Sequence, residues 1–351
     1  MITDLAPADF TLAGFTLPAE LEAHDPPEAR GLARDGVRML VSRTSSGEIG
    51  HYGFRDLPGL LLPGDLLVVN TTATLPAQVR AAGGSADGLA VHFSGPRPDG
   101  AWLVELRRVK DKISMPNGSG SPGQLISLPG GVVLTLEAKV TARLWRARLS
   151  VAVVPYLLRY GIPIRYSYVP REWPLPAYQT VFAREPGSAE MPSASRPFTP
   201  SLVTQLAARG VLIAPLTLHA GVSSLEADED PYPEPYDVPP ATARLVNHVR
   251  ADGGRVIAAG TTVVRALETA ALDGPAGVVA PSAGWTSHVV TPQTGVKVVD
   301  ALLTGLHEPR SSHLRMLAAF AGPALLSRCY ETAIGSGYLW HEFGDVHLLL
   351  P

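Results

Sequence analysis

"VIAAGTTVVRALETAA", residues 256–271, opens as a Val/Ile-rich apolar run, breaks at Gly260 and resumes with apolar residues at helical spacing. A strand that turns directly into a helix is the unit of an open α/β sheet, whose ligands collect beyond the carboxyl ends of the strands. There the helix N-terminus offers unpaired backbone N–H groups and a partial positive charge. Thr261 and Thr262 add two hydroxyls at that break. Arg265 and Glu268 stand three apart and share a helix face one turn further in, which suits either a ligand-ordering pair or a surface ion pair on a capped helix.

The neighbouring segments extend the pattern. "RMLVS" and "DLLVVN" read as strands, with "FRDLPGLLLPGD" between them as a short helix and a Pro-Gly turn, and the second strand ends in Asn70, Thr71 and Thr72. From about 75 to 150 the texture changes. "GLAVHFSG", "AWLVELRRV", "QLISL", "GVVLTLEAKV" and "RLWRARLSV" are short alternating segments separated by turns such as "PRPDG" and "MPNGSGSPG", the signature of a small antiparallel barrel or sandwich. Beyond 150 helices and strands alternate again. The expected architecture is an α/β domain, residues 1–74 and 151–351, carrying an inserted antiparallel β-barrel domain, residues 75–150.

Composition narrows the function. With 351 residues, 46% hydrophobic and 17% charged, the chain has material for a large core and no room for long disordered tails. Its net charge of −3 gives no global attraction to nucleic acid, so any RNA contact needs a local basic patch; "RRVKDK" (107–112) and "RLWRAR" (143–148) on the barrel are the candidates. Alternating arginines on a strand also suit a solvated face. The lone cysteine, Cys329, rules out an internal disulfide, and its apolar helical setting predicts a buried thiol. The start "MITDLAPADF" lacks a basic and apolar leader, and no apolar stretch reaches membrane-spanning length, so a cytoplasmic protein without a membrane partner is expected. No paired-histidine or paired-cysteine metal motif, nucleophile elbow, phosphate-binding P-loop or dinucleotide fingerprint is present, and no metal is expected.

What remains is a set of polar clusters at strand ends. "LTLHAG" places His219 after an apolar run, "YPEPYDVP" holds Glu234 on a proline-stiffened loop, and "GLHEPRSS" sets His307, Arg310 and Ser311 around a Pro turn before a helix. There a histidine could titrate and an arginine could clamp a carboxylate.

These stretches, with "YQTVFAREPGSAEMPSASRPFTP", "SAGWTSHVVTP", "VKVVDALLTGLHEPRSS" and "FGDVHLLL", resemble in order the S-adenosylmethionine:tRNA ribosyltransferase-isomerase (QueA) family of queuosine biosynthesis, from about residue 10 to the C-terminus. The resemblance implies an α/β domain with an inserted barrel. It implies transfer and isomerisation of the ribosyl part of S-adenosylmethionine onto the aminomethyl group of a 7-deazaguanine in tRNA, giving epoxyqueuosine with loss of adenine and methionine. S-Adenosylmethionine is then a co-substrate and no further cofactor is expected. The sulfonium acidifies the 5′ C–H, so the chemistry asks for a base there, a donor near the adenine nitrogens, and groups that hold the ribose and the carboxylate. Candidate catalytic residues are His307, Glu234, His219 and Arg265; candidates for holding S-adenosylmethionine are Asn70, Gly260, Thr261, Thr262, Glu268, Trp285, Arg310 and Ser311.

The chain departs from the family pattern at Pro192–Thr199, where a Gly and a His are replaced, at 232–236, where a His is lost while Glu234 and Tyr236 remain, and at Ala73, where the family has Arg. The departures leave two alternatives beside the tRNA enzyme: a paralogue that cleaves or rearranges S-adenosylmethionine with another acceptor or none, and a non-catalytic S-adenosylmethionine- or RNA-binding protein.

Overall fold

The computed structural model describes residues 15–82, 88–110, 113–222, 232–272, 274–275, 277–309 and 311–351. Arg38–Arg43 (β1) pairs antiparallel with Ile49–Gly53 (β2). A 3-10 turn and the single helical turn Leu57–Leu60 (α1) lead through Gly64, with φ of 89°, into Leu66–Asn70 (β3). Thr72–Thr74 (β4) then carries the chain away from this sheet towards a second one.

That second sheet is built from Gln78–Arg80 (β5), Gly88–Pro96 (β6), Trp102–Lys110 (β7), Ile113–Pro116 (β8), Leu125–Leu128 (β9), Val132–Lys139 (β10) and Leu144–Leu149 (β11). All its pairings are antiparallel, in the order β5-β6-β7-β11-β10-β9 with β8 alongside β7. A backbone bond of 2.8 Å from Ala82 N–H to the Ser127 carbonyl ties the β5 end to β9, so the sheet curls into a nearly closed barrel. Alternate residues fill it: Val91 and Phe93 of β6, Val104 and Leu106 of β7, Leu134 and Leu136 of β10. Val153–Tyr160 (α2) contributes Val153, Tyr156 and Leu157 to the same core.

The chain returns to the large sheet after Glu185–Ser188 (β12), which runs parallel to β4 as a two-stranded ribbon. Then follow Pro200–Ala208 (α3), Leu212–Leu218 (β13), Glu234–Val238 (β14), Pro240–Ala251 (α4), Val256–Ala259 (β15), Thr261–Ala270 (α5), Ser282–Thr286 (β16), Ala301–Gly305 (β17), Ser312–Gly335 (α6) and Val346–Leu350 (β18). The nine strands lie in the order β16-β14-β13-β3-β15-β17-β18-β1-β2, and β13, β3, β15 and β17 are mutually parallel. The period of two sorts their side chains: Leu66 and Val68 of β3 and Val256 and Ala258 of β15 pack against α4, α5 and α6, while Leu67, Val69, Ile257 and Ala259 face α1 and α3. Both faces are covered, which is why these strands are apolar without interruption.

The expected α/β fold with an inserted barrel is therefore present. Two local features refine it. α6 is split at Gly322, whose φ of 69° only a glycine adopts at little cost, followed by Pro323, which cannot donate into the helix. Cys329 is fully buried, as its apolar setting required. Among the described residues no helix is long and apolar enough to cross a membrane.

Candidate functional site

The carboxyl ends of β3, β15 and β17 open into a cavity of about 250 Å³. Its floor is the strand-to-helix break at Gly260. Gly260 ends β15 with φ of 108°, a conformation that disfavours any side chain, and α5 begins at once, so Gly260, Thr261 and Thr262 all line the space. On the next strand end stand Thr304, Gly305, Leu306 and His307, and beyond the Pro309 turn come Ser311 and His313 at the start of α6. Two helix N-termini thus meet one cavity, an arrangement that suits a carboxylate. Arg310, the expected carboxylate clamp, lies outside the described residues.

His307 is fixed on three sides. Its Nε2 is 2.8 Å from Thr304 Oγ1, its N–H donates to the Tyr330 hydroxyl at 3.1 Å, and its carbonyl accepts from Trp340 Nε1 at 3.0 Å. The ring of His313 stacks on it with centroids 4.4 Å apart and planes 1° apart, held by Ser311 Oγ at 2.9 Å from Nδ1. Burial pushes both imidazoles down, His313 to about 4 and His307 well below its ordinary value, with His313 a further cause for His307. Both rings are therefore neutral at pH 7, the state a general base requires.

The opposite wall comes from 163–178 and 341–342. Tyr168 stacks on His341 at 3.8 Å and donates its hydroxyl to Glu342, whose carboxyl burial raises. His341 holds a φ of 71°, the sole positive value among the described non-glycine residues, and burial takes its imidazole down to about 4. Glu190, Glu308 and Glu342 line the cavity, and no Lys or Arg does among the described residues. Such a site favours a cationic ligand.

Asn70 sits at the hub, fully buried. Its amide donates to the Leu218 carbonyl at 2.8 Å and to Thr262 Oγ1 at 3.1 Å, and accepts from the N–H groups of Thr72 at 3.0 Å and Leu218 at 3.1 Å. With both donors and both lone pairs used, it positions the cavity wall rather than reaching into the space.

Four of the expected residues are placed elsewhere. Arg265 and Glu268 share a helix but do not pair, and neither is at the surface, with 7% and 2% exposure. Arg265 forms an ion pair with Glu234 and donates to the carbonyls of Thr286 at 3.2 Å and His288 at 3.1 Å. Glu268 accepts from three successive N–H groups, of Lys297, Val298 and Val299, at 2.9 to 3.2 Å. Glu234 also accepts from Gly221 N–H at 2.8 Å. Trp285 lies on edge strand β16 with the guanidinium of Arg97 from the barrel 5.8 Å from its ring centroid. None of the four lines the cavity. The ion pair and the Glu268 cap fasten β14, α5 and the 286–299 loops together behind the site.

His219 also stands outside the lining, connected to it through Thr72 and Ser188. His313, Thr304, Tyr168, His341 and Glu342 line the cavity with no sequence motif to mark them. His313 follows His307 by six residues across a Pro turn, which interrupts any strand or helix period between them. His341 and Glu342 reach the site only because β18, which they precede, pairs directly with β17.

The positions at 73 and 192–197 that depart from the family pattern fall on or behind the cavity wall. Pro192, Ser193 and Ala194 line the cavity, whereas Pro197 is buried behind it and Arg196 turns away to Glu28 at 2.9 Å. Ala73 stands in β4 between the lining residues Thr72 and Thr74. On the barrel, Arg107 and Arg143 point inward to Glu105, and Arg146 and Arg148 are bonded to Asp99 and Glu137.

The profile of the family described as "Queuosine biosynthesis protein" matches residues 10–349. The chain belongs to this family. An S-adenosylmethionine:tRNA ribosyltransferase-isomerase of Acidiphilium cryptum is 37% identical over 94% of this chain and 98% of its own, and that of Thermus thermophilus is 37% identical over 96% and 98%. The crystal structure of an S-adenosylmethionine tRNA ribosyltransferase from Thermotoga maritima matches with a TM-score of 0.56 at 26% identity, covering 97% of this chain and all of the other. The queuosine-family assignment thus rests on sequence along the whole length and on the fold.

Proposed function

We propose that this protein transfers and isomerises the ribosyl part of S-adenosylmethionine onto the aminomethyl side chain of a 7-deazaguanine in tRNA, giving epoxyqueuosine and releasing adenine and methionine. Full-length relatedness to enzymes of that name supports the reaction. The observation that carries it to these residues is the cavity where two helix N-termini meet walls bearing three carboxylates. S-Adenosylmethionine carries a carboxylate at one end and a sulfonium and an ammonium beside it, and this site offers both complements.

In this reading the α5 N-terminus at Gly260–Thr262 and Ser311 receive the methionine carboxylate, with Arg310 as its clamp. His307, neutral and with Nδ1 unpartnered among the described residues, takes the 5′ proton made acidic by the sulfonium. Glu342 and Glu190 offset the cationic charge. Asn70, Arg265, Glu234 and Glu268 position these groups. S-Adenosylmethionine serves as co-substrate with no further cofactor, tRNA is the macromolecular partner in the cytoplasm, and the division at residues 75 and 150 separates the barrel from the catalytic part.

The test is incubation with S-adenosylmethionine, alone and with tRNA bearing the aminomethyl-deazaguanine, followed by mass spectrometry. Adenine and methionine released only with the tRNA, with a matching mass gain on the RNA, is the expected result. Release without RNA would instead establish a paralogue acting on S-adenosylmethionine itself, and undetectable binding at millimolar ligand would leave a non-catalytic scaffold.

A further inference from the structure

We infer that Ser188, Thr72 and His219 form a proton relay that connects the cavity to an imidazole outside it and takes the proton lost by the acceptor amine as that amine bonds to carbon. The inference rests on the transfer reaction proposed above.

The relay is continuous and closely spaced. Ser188 Oγ lies 2.7 Å from Thr72 Oγ1, and Thr72 Oγ1 lies 2.7 Å from His219 Nδ1. Ser188 and Thr72 line the cavity with less than 2% exposure, while His219 is half-buried behind them. Each member is held by a separate element. Asn70 fixes the Thr72 backbone, the Ala220 N–H donates to Ser188 Oγ at 2.9 Å, and the His219 N–H donates to the Pro235 carbonyl at 3.0 Å. Gly187 provides the room: a Cβ there would stand 2.4 Å from His219 Nδ1, so the ring is seated on bare backbone of β12.

Such a chain has two satisfied hydrogen-bond orders. In one, Ser188 donates to Thr72 and Thr72 to a bare Nδ1, leaving a Ser188 lone pair facing a donor in the cavity. In the other, Nδ1–H donates to Thr72 and Thr72 to Ser188, leaving the Ser188 proton for an acceptor. Passing one proton converts the first into the second. The amine nitrogen uses its lone pair to bond carbon and becomes cationic. Its N–H proton then moves to Ser188 Oγ as the Ser188 proton moves to Thr72 and the Thr72 proton to Nδ1; the N–H electron pair stays on nitrogen and His219 becomes an imidazolium. Burial lowers the His219 imidazole, opposed by the nearby carboxylate of Glu185, so it stands ready as an acceptor at neutral pH. Glu185, half-exposed and paired with Arg184 at 3.2 Å, sets a carboxylate on the solvent side of the ring, where its charge favours the imidazolium.

Thr72→Val keeps the shape of the side chain and removes the hydroxyl; Thr72→Ser keeps the hydroxyl. With S-adenosylmethionine and the modified tRNA, Thr72→Val is expected to lower kcat at least about tenfold, less than the roughly 10²-fold or more of a group that meets the substrate directly, with the KM for S-adenosylmethionine unchanged within about twofold. Thr72→Ser is expected to return kcat to within about threefold of wild type, because the donor and acceptor are restored. Ser188→Ala, which cuts the relay at its cavity end, gives the same kcat loss from a smaller change and serves if Thr72→Val folds poorly. The acid limb of the wild-type kcat profile, set by a neutral His219, disappears in both cut relays. Full kcat in Thr72→Val or Ser188→Ala, or equal failure of Thr72→Ser and Thr72→Val, would overturn the relay while leaving the transfer reaction standing. A wild-type protein that never modifies the tRNA would remove both.

Discussion

The large sheet and the barrel spend their polar residues in opposite ways. At the carboxyl ends of β3, β15 and β17, the N-terminus of α5, one face of the His307–His313 pair and the Ser188 hydroxyl face a shared cavity. In the barrel, four arginines are matched with acids: Arg107 and Arg143 with Glu105 inside, Arg146 and Arg148 with Asp99 and Glu137 outside. The reason is topological. Strands paired side by side bring cross-strand charges within reach of one another, whereas strand ends at a parallel sheet's edge point polar groups at empty space. Residue type alone does not mark a site; its place along the strand does.

The sharpest way to break the comparison is at His307. Replacing it by Gln keeps a polar, uncharged group of similar size and removes the base. We expect kcat to fall about 10²- to 10⁴-fold with the dissociation constant for S-adenosylmethionine changed far less. Parallel loss of binding would make His307 a binding residue and move the base elsewhere.

A second prediction concerns the ion pair behind the cavity. Arg265 and Glu234 have 8% and 15% side-chain exposure, so Glu234→Ala strands a buried guanidinium and is expected to cost about 3 to 5 kcal/mol in urea denaturation. Replacing both partners by apolar residues should cost much less, since nothing charged is then left unpaired. If the single variant were as stable as wild type, Arg265 would have another counterpart and the fastening role would be wrong.

The fold was legible because its signals are short-range. The alternation in β6, β7, β9, β10 and β11 and the Gly260 break are each contained in a few residues. Of the candidate cavity's lining, the legible parts were strand ends that can be read one at a time: Asn70, Gly260–Thr262, and His307 with Ser311. Arg265 and Glu268 suggested a local pair because spacing is all a sequence offers there; the true partner, Glu234, is 31 residues away on another strand. The Ser188–Thr72–His219 chain joins segments 116 and 147 residues apart, and no period or motif carries that information. His341 was hidden for the same reason, as its part in the site depends on a backbone conformation that no helix or strand pattern encodes.

Acidification sharpens the comparison from another side. Burial takes His313 and His341 to about 4 and His92 and His347 to about 3, against an ordinary 6.5. Below pH 6.5 the unfolded chain binds protons that the folded chain refuses, so stability is full above 6.5 and falls as pH drops towards 4, by up to about 1.4 kcal/mol per pH unit for each histidine. The carboxyls of Glu342 and Asp345, raised by burial, act in the opposite sense nearer their own range and soften the fall. Urea midpoints at pH 7, 6 and 5 should decrease in that order. His92 belongs to the barrel, so His92→Gln should flatten part of the slope without touching S-adenosylmethionine binding; an unchanged slope would show that His92 titrates normally.

The smallest expected effect is on the barrel's outer face. Arg146 is bonded to both Asp99 and Glu137 and Arg148 to Glu137, so their charge is largely answered before any phosphate arrives. A free arginine released from counterion duty by phosphate contributes nearly one unit to the salt dependence of RNA binding; an arginine that must first leave its carboxylates gains little. Arg146→Ala and Arg148→Ala together are therefore expected to change tRNA affinity by less than about twofold and to leave the slope against salt concentration unaltered. A slope reduced by one to two units would mean that these arginines exchange their acids for phosphate, and the barrel's "RLWRAR" strand would then be part of the RNA path after all.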